Sequence, residues 1–156
     1  MTLSNLTYDE IGRNTQKTLG TVQTADYGYN IRNRLTTINT PGSLGTDKFA
    51  MELFYNNSSG IPGAAVQYSG NISAIKWQQD GGSLQSYHYL YDSYSRLSGG
   101  IHSGGDSEQY ITYDANGNIA TLNRTGTQAA GMSYNYSGNR LSGIPSNNGK
   151  FYFHYY

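Results

Sequence analysis

Residues 110–122, with the sequence YITYDANGNIATL, contain the pattern of a complete β-hairpin. The residues before Asp114 are rich in aromatic and β-branched side chains, which favour strands. Asp114 can accept hydrogen bonds from the backbone N–H groups that follow it, and Gly117 can adopt a positive φ without a Cβ clash. This order predicts a type I turn, then a left-handed residue and a β-bulge, with residues 119–122 returning as the second strand.

The same pattern recurs along the chain, each time behind a Tyr that precedes the turn. The anchoring residues are Tyr8, Tyr29, Tyr68, Tyr91, Tyr113 and Tyr136. They are separated by 21, 39, 23, 22 and 23 residues, so the period is about 22 with one expanded unit. The expanded unit contains an extra apolar run at residues 49–55. Such a period is typical of repeat proteins, in which no unit buries its apolar face alone and neighbours share a core.

Besides the Tyr, the repeated positions are the residues of the turn, an Arg after it, and an apolar residue that begins the returning strand. In the four longer copies the returning strand begins six positions after the Tyr, with Leu or Ile in three of them, whereas the first copy departs from the pattern with Asn14. The copies at Tyr68 and Tyr136 are shorter. The signature residues are Tyr8, Asp9, Gly12 and Arg13; Tyr29, Arg34 and Leu35; Tyr68, Gly70 and Ile72; Tyr91, Asp92, Arg96 and Leu97; Tyr113, Asp114, Gly117 and Ile119; and Tyr136, Arg140 and Leu141. We expect their role to be structural.

The motifs Tyr-Asp-x-x-Gly-Arg at residues 8–13, Tyr-Asp-x-x-x-Arg-Leu at 91–97 and Tyr-Asp-x-x-Gly-Asn at 113–118 resemble the YD repeat of Rhs proteins. Residues 67–77 resemble the segments that link such repeats in bacterial Rhs-type proteins. The resemblance extends from about residue 6 to residue 155. It implies an all-β fold in which consecutive antiparallel hairpins form a curved, twisted sheet. In bacterial toxins of this family that sheet encloses a toxic C-terminal domain, and in teneurins it is an adhesion scaffold.

From this resemblance we expect one YD-repeat domain over residues 1–156. Its units would lie at about 2–19, 22–39, 48–77, 85–102, 109–124 and 131–144, with a partial unit at 150–156. The expected function is that of a shell or scaffold segment that encloses or displays another domain of a larger, exported parent protein. Its partners would be neighbouring repeats or the enclosed domain. An isolated segment leaves strand edges unpaired, so self-association through those edges is also expected.

Apolar residues three positions apart follow most of the turns. The pairs are Leu35 with Ile38, Ile72 with Ile75, Ile119 with Leu122, and Leu141 with Ile144. Strict alternation would send the two members of each pair to opposite faces. Either a β-bulge restores them to one face, or the sheet is buried on both faces. We favour the bulge, because an Asn lies one or two residues ahead of each pair. The strand that begins near Arg96 is expected to end early, at Gly99-Gly100.

Composition excludes several classes of function. Net charge is zero, so the chain has no electrostatic attraction for nucleic acid or an anionic membrane. The absence of cysteine excludes disulfides and thiolate metal sites. No run approaches 18 apolar residues, so no membrane-spanning helix is expected. The first twelve residues lack the basic start and apolar centre of a signal peptide, so export would depend on the parent protein.

The 16 Tyr residues are the first candidates for ligand binding, because aromatic faces stack on sugars. A carbohydrate- or protein-binding module that uses exposed Tyr-rich strands is therefore the alternative function. Packing between neighbouring strands is favoured over it, because the Tyr recurs at one position of the repeat.

The remaining candidates for chemistry have simpler explanations. Asp9, Asp92 and Asp114 could be catalytic or could bind a cation, but their position in the turn favours a capping role. Each Arg after a turn could bind an anion, but we favour a ladder in which it stacks on the next hairpin's Tyr or pairs with the turn Asp. The Arg residues concerned are Arg13, Arg34, Arg96 and Arg140, and the three His are His88, His102 and His154. The His spacings match no zinc pattern. We expect no catalytic residue, no cofactor and no metal site.

Overall fold

The computed structural model of the chain describes residues 4–57, 60–126 and 130–144. Every regular secondary-structure element within these ranges is a β-strand. They are β1 Asn5–Tyr8, β2 Asn14–Leu19, β3 Gln23–Tyr29, β4 Leu35–Ile38, β5 Phe49–Phe54, β6 Ala74–Gln79, β7 Gln85–Tyr91, β8 Leu97–His102, β9 Ser107–Tyr113, β10 Ile119–Thr125, β11 Ala130–Ser133, β12 Asn135–Ser137 and β13 Arg140–Gly143. The partial unit predicted at 150–156 lies outside the described residues.

Eleven of these strands, β1 to β11, follow one another in sequence order in one antiparallel sheet, and β12 pairs with β13. The prediction of an all-β fold built from consecutive antiparallel hairpins is confirmed. The chain divides into two compact units, residues 1–87 and 88–156. The expectation of a single domain stays a prediction. Across the described ranges, no helix is long and apolar enough to cross a membrane.

Three hairpins have the same internal register. The anchor Tyr lies opposite the sixth residue after it. The residue before the Tyr lies opposite the eighth residue after the Tyr, whereas an unbroken register would place it opposite the seventh. The pairs are Tyr8 with Asn14 and Thr7 with Gln16; Tyr29 with Leu35 and Gly28 with Thr37; and Tyr113 with Ile119 and Thr112 with Thr121. One residue of each returning strand therefore bulges out, as in a β-bulge. The bulge predicted after Leu35 and after Ile119 is confirmed, and the register shifts in the same way after Leu141.

The register between neighbouring hairpins also repeats. At a junction, the second strand of one hairpin pairs with the first strand of the next. At three junctions, the eighth residue after one anchor pairs with the third residue before the next anchor. The pairs are Gln16 with Asp26, Thr37 with Glu52, and Thr121 with Ser133. At the junction of β8 and β9 the register moves by one, with Gly100 opposite Glu108. An extra residue in β9 accounts for this shift, because Tyr110 there has a left-handed φ of 54°.

The hairpin predicted at Tyr68 is wrong. β5 pairs with β6, and Tyr68 lies in the connector between them, residues 55–73. The anchor of this hairpin is Tyr55, because Phe54 before it pairs with Ala74 and Glu52 pairs across the junction with Thr37. Ala74 stands 19 residues after Tyr55, where the other hairpins have eight, so the connector contains 11 extra residues.

The sequence pointed to Tyr68 because Ser69-Gly70-Asn71 has local turn chemistry, and Gly70 does have a positive φ of 104°. The turn lies within the connector, however, and no strand precedes or follows it directly. Ile72 is outside any strand, so the Ile72 and Ile75 pair is not related by the predicted bulge.

The connector covers one face of β5 and β6 and creates the main buried cluster of the first unit. Phe54 is 2% exposed and Ala74 is fully buried, and both pack with Ile61 of the connector. Backbone hydrogen bonds hold the connector in place: the Gln67 N–H donates to the Tyr55 carbonyl at 2.7 Å, and the Ser73 N–H donates to the Phe54 carbonyl at 2.7 Å. The longest insertion of the chain is therefore a packed part of the fold.

In the second unit, the expected early end of the strand at Gly99-Gly100 is wrong, since β8 continues through both glycines to His102. Both glycines are buried. A Cβ on Gly99 would lie 3.3 Å from the carbonyl oxygen of Glu108 on β9. Glycine here allows close approach of a neighbouring strand rather than forming a turn.

Candidate functional site

The signature turns share one hydrogen-bond pattern. In the first, Asp9 Oδ1 accepts the backbone N–H groups of Ile11 at 3.1 Å and Arg13 at 2.9 Å. Asp92 and Asp114 accept the equivalent pairs at 2.9 Å each. Asn30 does the same in the second hairpin, at 2.9 and 3.1 Å. The side chain that follows each anchor Tyr is thus occupied in holding its own turn, as expected for Asp and Asn in this position.

The fourth residue after the anchor has a left-handed backbone in each of these turns. These residues are Gly12, Asn33, Ser95 and Gly117, with φ values of 82°, 58°, 62° and 85°. The predicted left-handed residue is therefore present in all four. Gly and Asn adopt this conformation at low cost, so the turn chemistry visible in the sequence accounts for three of these positions, and Ser95 is the exception.

The turn carboxylates have lowered pKa values. For Asp9, the hydrogen bond from the Arg13 backbone N–H is the largest cause of the lowered pKa. For Asp114, the hydrogen bond from the Asn118 side chain is the largest. At Asp92, burial acts in the opposite direction, but hydrogen bonds from Arg96 and Tyr94 outweigh it and the pKa is still lowered. Each carboxylate is therefore held in its charged form by its own turn.

These shifts predict loss of stability in acid. A carboxyl group whose pKa is lower in the folded state than in the unfolded state stabilises the fold. This stabilisation is complete above the unfolded-state pKa, and it disappears as the pH falls through the folded-state pKa. We expect the melting temperature to fall below about pH 4, the usual Asp range. A triple variant with Asp9, Asp92 and Asp114 changed to Asn should show a shallower fall, measured by circular dichroism from pH 7 to pH 2. Glu10→Gln, in an exposed turn position, is the control. Equal pH dependence of the triple variant and the wild type would contradict the prediction.

The Arg that follows the turn contacts both its own hairpin and the next. Arg13 Nε lies 2.6 Å from Asp9 Oδ2, and Arg96 Nε lies 2.7 Å from Asp92 Oδ2. The guanidinium carbon of Arg13 also lies 5.0 Å from the ring centre of Tyr29, and that of Arg96 lies 4.3 Å from the ring centre of Tyr113. These distances are those of cation–π contacts.

The third hairpin shows the same contact and confirms Tyr55 as the anchor. The guanidinium carbon of Arg34 lies 5.6 Å from the ring centre of Tyr55. Gly70 of the connector lies directly against this Arg, because a Cβ on Gly70 would overlap its guanidinium. Arg140 lies at the start of β13, opposite Ser137.

A hydrogen bond joins the same pairs of hairpins. The hydroxyl of the anchor Tyr donates to the carbonyl of the residue that begins the returning strand of the hairpin before it. The bonds are Tyr29 to Asn14 at 2.9 Å, Tyr55 to Leu35 at 2.9 Å, Tyr113 to Leu97 at 2.6 Å, and Tyr136 to Ile119 at 2.9 Å. We call the stacked guanidinium together with this hydrogen bond the inter-hairpin contact. The sequence does not indicate this contact at Tyr55, because no Arg stands five positions after that Tyr as Arg34 does after Tyr29.

Arg96→Ala tests the energetic value of this contact. Arg96 lies against Tyr113 and Tyr94 and pairs with Asp92, so we expect a loss of about 1–2 kcal/mol in the free energy of unfolding. Arg124→Ala is the matched control, because its pair with Glu108 is longer, at 3.5 Å, and more exposed. Thermal and urea denaturation of both variants provide the measurement. An unchanged melting temperature in Arg96→Ala would show that the ladder has no structural role.

Several apolar side chains form one row across the strands of the first unit. Tyr27 lies opposite Ile38, Ile38 opposite Met51, and Met51 opposite Trp77. The Trp77 ring stacks on Tyr87 with ring centres 5.8 Å apart. All five side chains are half-buried, and Met51 lies on the face opposite Phe54 because strand side chains alternate. This face therefore carries an aligned row of apolar groups.

The polar side chains of the described residues mostly hold the backbone of the fold. A polar cavity of about 260 Å³ is lined by residues that include Asp26, Asn39 and Asp47. The Asn39 side chain there is bonded to the backbone of β3 and β5. In the part of the chain that the structure describes, no group of three or more His, Cys, Asp or Glu side chains could hold a metal ion. His88 and His102 lie on β7 and β8, and His154 lies outside the described residues.

No family model matches the chain, and no curated protein matches it. Among solved structures, a similar chain occurs in the Tc holotoxin pore of Photorhabdus luminescens with a mutated TccC3. The similarity has a TM-score of 0.67 with 13% sequence identity, and it covers 96% of this chain and 8% of that chain. The two chains therefore share a fold along nearly the whole length of this one, which spans only a small part of the toxin chain.

Proposed function

We propose that the chain is a structural wall segment of an Rhs-type, YD-repeat protein, which encloses or displays another domain of a longer parent. The observation that carries the proposal is the repeated inter-hairpin contact. At four junctions the anchor Tyr donates to the preceding hairpin, and at three of them an Arg stacks on its ring. The residues that define the repeat are thus used to join hairpins side by side.

We propose that the segment has no catalytic role. The turn carboxylates, which would be the first candidates for acid–base chemistry, each accept two backbone N–H groups of their own turn. Their lowered pKa values also suit a permanently charged cap rather than a proton donor at neutral pH. Similarity to a segment of a toxin pore supports a scaffold within an exported protein, located outside the cell or at its surface.

Protection of a neighbouring domain tests this proposal. The complete reading frame that contains residues 1–156 would be expressed, together with a version that lacks them, and both would be treated with protease. We expect the remaining polypeptide to be cleaved much faster without the segment, because a wall excludes the protease from what it encloses. Arg96→Ala with Arg13→Ala in the complete protein should give intermediate protection. Identical cleavage patterns, or a reading frame with no further domain, would contradict the proposal.

A binding module for carbohydrate is the second candidate, and the exposed Tyr rings support it. Tyr94, Tyr68 and Tyr110 are 79%, 72% and 68% exposed, and none of them is an anchor. Rings in such positions can stack on sugar faces. A glycan array with the wild type and with Tyr94→Ala, Tyr68→Ala and Tyr110→Ala would distinguish the candidates. A strong hit that disappears in one of these variants favours binding, and an array without hits favours the wall segment.

A further inference from the structure

We propose that the loop between β4 and β5, residues 39–48, forms a binding site for a neutral sugar together with the turn between β2 and β3, residues 20–22. The proposal goes beyond the wall function, which needs no ligand. It also differs from the second candidate, because the exposed Tyr94, Tyr68 and Tyr110 do not line this site. The three ideas can therefore fail independently.

The first observation is the length of the loop. Thr37 and Glu52, which pair across this junction, are 15 positions apart. Gln16 and Asp26 occupy the same register positions at the junction of β2 and β3, and they are only 10 positions apart. The loop therefore contains five more residues than the pairing of the strands requires. Extra loop residues that stand on a rigid sheet often carry function.

The second observation is that hydrogen bonds hold the loop in one conformation. The Asn39 side chain bonds the backbone of β3 and β5. The Gly42 N–H donates to Gln78 Oε1 on β6 at 2.9 Å. The Asp47 N–H donates to the Leu44 carbonyl at 2.9 Å and closes a turn. A loop held by its own hydrogen bonds loses little conformational entropy when a ligand binds.

The third observation is a pair of cavities beside the loop. Their volumes are about 260 and 280 Å³, and Asp47 lines both, so the cavities are adjacent. The first is also lined by Asp26, Thr40 and Ser43, and the second by Thr21 and Thr46. Pockets for drug-sized ligands measure about 300–1,000 Å³, so each cavity suits a smaller ligand such as one sugar ring.

The walls of the cavities carry hydrogen-bonding groups that the fold leaves available. The Asp47 carboxylate is half-buried, and it bonds no other residue within the described ranges. Four hydroxyls likewise bond no other described residue, those of Thr21, Thr40, Ser43 and Thr46. A carboxylate can accept several hydrogen bonds, so a ligand with two neighbouring donors would satisfy Asp47.

The chemistry of these walls selects a ligand with many hydroxyls and no negative charge. Asp26 supplies a second carboxylate, whose Oδ1 accepts the Gln16 side chain at 2.8 Å. The described residues that line the cavities include no Lys, Arg or His, so an anion would meet two carboxylates without a balancing cation. Neighbouring sugar hydroxyls can donate to one carboxylate and accept from Thr and Ser hydroxyls. A metal ion fits less well, since no described group of three or more acidic or His side chains could hold one.

An array of neutral and anionic glycans tests the class of ligand. The chain would be presented on multivalent beads, so that avidity makes a weak site detectable. We expect hits among the neutral glycans only. The free glycan of the strongest hit would then be titrated into the isotope-labelled chain and followed by NMR. Backbone amide signals of residues 20–24 and 39–48 should shift, with a Kd of about 1 mM for a ligand of this size.

Asp47→Asn tests the central carboxylate. We expect it to weaken binding about tenfold, because a hydrogen bond to a charged acceptor is replaced by one to a neutral amide. The variant should fold with an unchanged melting temperature, since the Asp47 carboxylate bonds no other described residue. Glu10→Gln is the control, because Glu10 is exposed and lines neither cavity. It should bind as the wild type does.

Three results would overturn the proposal. They are an array without neutral hits, binding that Asp47→Asn leaves unchanged, and calcium chloride shifting the NMR signals of residues 39–48 when no glycan does. Binding that is lost in Tyr94→Ala but kept in Asp47→Asn would favour the second candidate instead. Asp47→Asn in the complete reading frame should leave protease protection unchanged, because the wall depends on the inter-hairpin contact. Failure of the sugar site and failure of the wall function are therefore seen in different measurements.

Discussion

Phe54→Ala is expected to lower the free energy of unfolding of the first unit by about 3–5 kcal/mol, the largest effect of any single substitution considered. Phe54 is 2% exposed and packs against Ile61 and Ala74. Removing the ring loses its transfer free energy and leaves a cavity between the connector and the sheet. Because domains are stable by only about 5–15 kcal/mol, a loss of this size leaves the unit marginally folded.

Urea denaturation followed by the fluorescence of Trp77, the only Trp in the chain, provides the measurement for Phe54→Ala. Phe49→Ala is the matched control on the same strand, because Phe49 is only half-buried and lies outside the cluster. It should cost clearly less. Phe54→Leu keeps most of the volume and should retain a measurable transition if Phe54→Ala does not fold. Equal losses in the Phe54→Ala and Phe49→Ala variants would show that the connector does not form a core with β5 and β6.

Asn39→Ala is expected to cost about 2–4 kcal/mol, the second largest effect. Asn39 is 8% exposed and links β3 to β5 through its side chain. Its Oδ1 accepts the Asp26 N–H at 2.8 Å, and its Nδ2 donates to the Phe49 carbonyl at 2.8 Å. Alanine would leave both backbone groups without these partners. It would also have to adopt the left-handed φ of 51° that Asn tolerates.

Asn39→Gly separates the two causes of that loss. Glycine adopts the left-handed backbone freely, so its cost measures the side-chain hydrogen bonds alone, while the difference between the alanine and glycine variants measures the backbone term. Asn33→Gly is the control, because Asn33 has a similar φ of 58° at an exposed turn. It should change stability little. If Asn39→Gly were as stable as the wild type, the link between β3 and β5 would have no energetic value.

The turns were predictable from the sequence because they are determined locally. Such a turn needs a capping Asp or Asn and, three positions later, a residue able to take a positive φ. Its conformation is therefore determined within five consecutive residues. The predictions around Tyr8, Tyr29, Tyr91 and Tyr113 depended on such local chemistry. The bulge was predictable for a similar reason, since the three-residue spacing of Leu35 and Ile38 is incompatible with plain alternation.

Features that depend on distant residues were not predictable in this way. Tyr55 and Ala74 are 19 residues apart, and only their pairing across the sheet identifies them as one hairpin. Tyr68 has a better local turn after it, but the strand partner that would make it an anchor is already paired with β5. Asn39 showed no signal either, because its two partners, Asp26 and Phe49, are 13 and 10 residues away. Gly99 and Gly100 suggested an early end of the strand, because the approach of β9 is not visible in the sequence of one strand.

The register that three of the junctions share has a consequence for how such a chain changes during evolution. Three junctions place the eighth residue after one anchor opposite the third residue before the next. A duplication or deletion of one whole hairpin therefore brings together two hairpins that can pair in this same register. Unequal recombination between similar modules changes the length of the array without redesigning any interior. Genes of this kind can adjust the size of the product by the number of modules, whereas a protein with one central core would have to repack it.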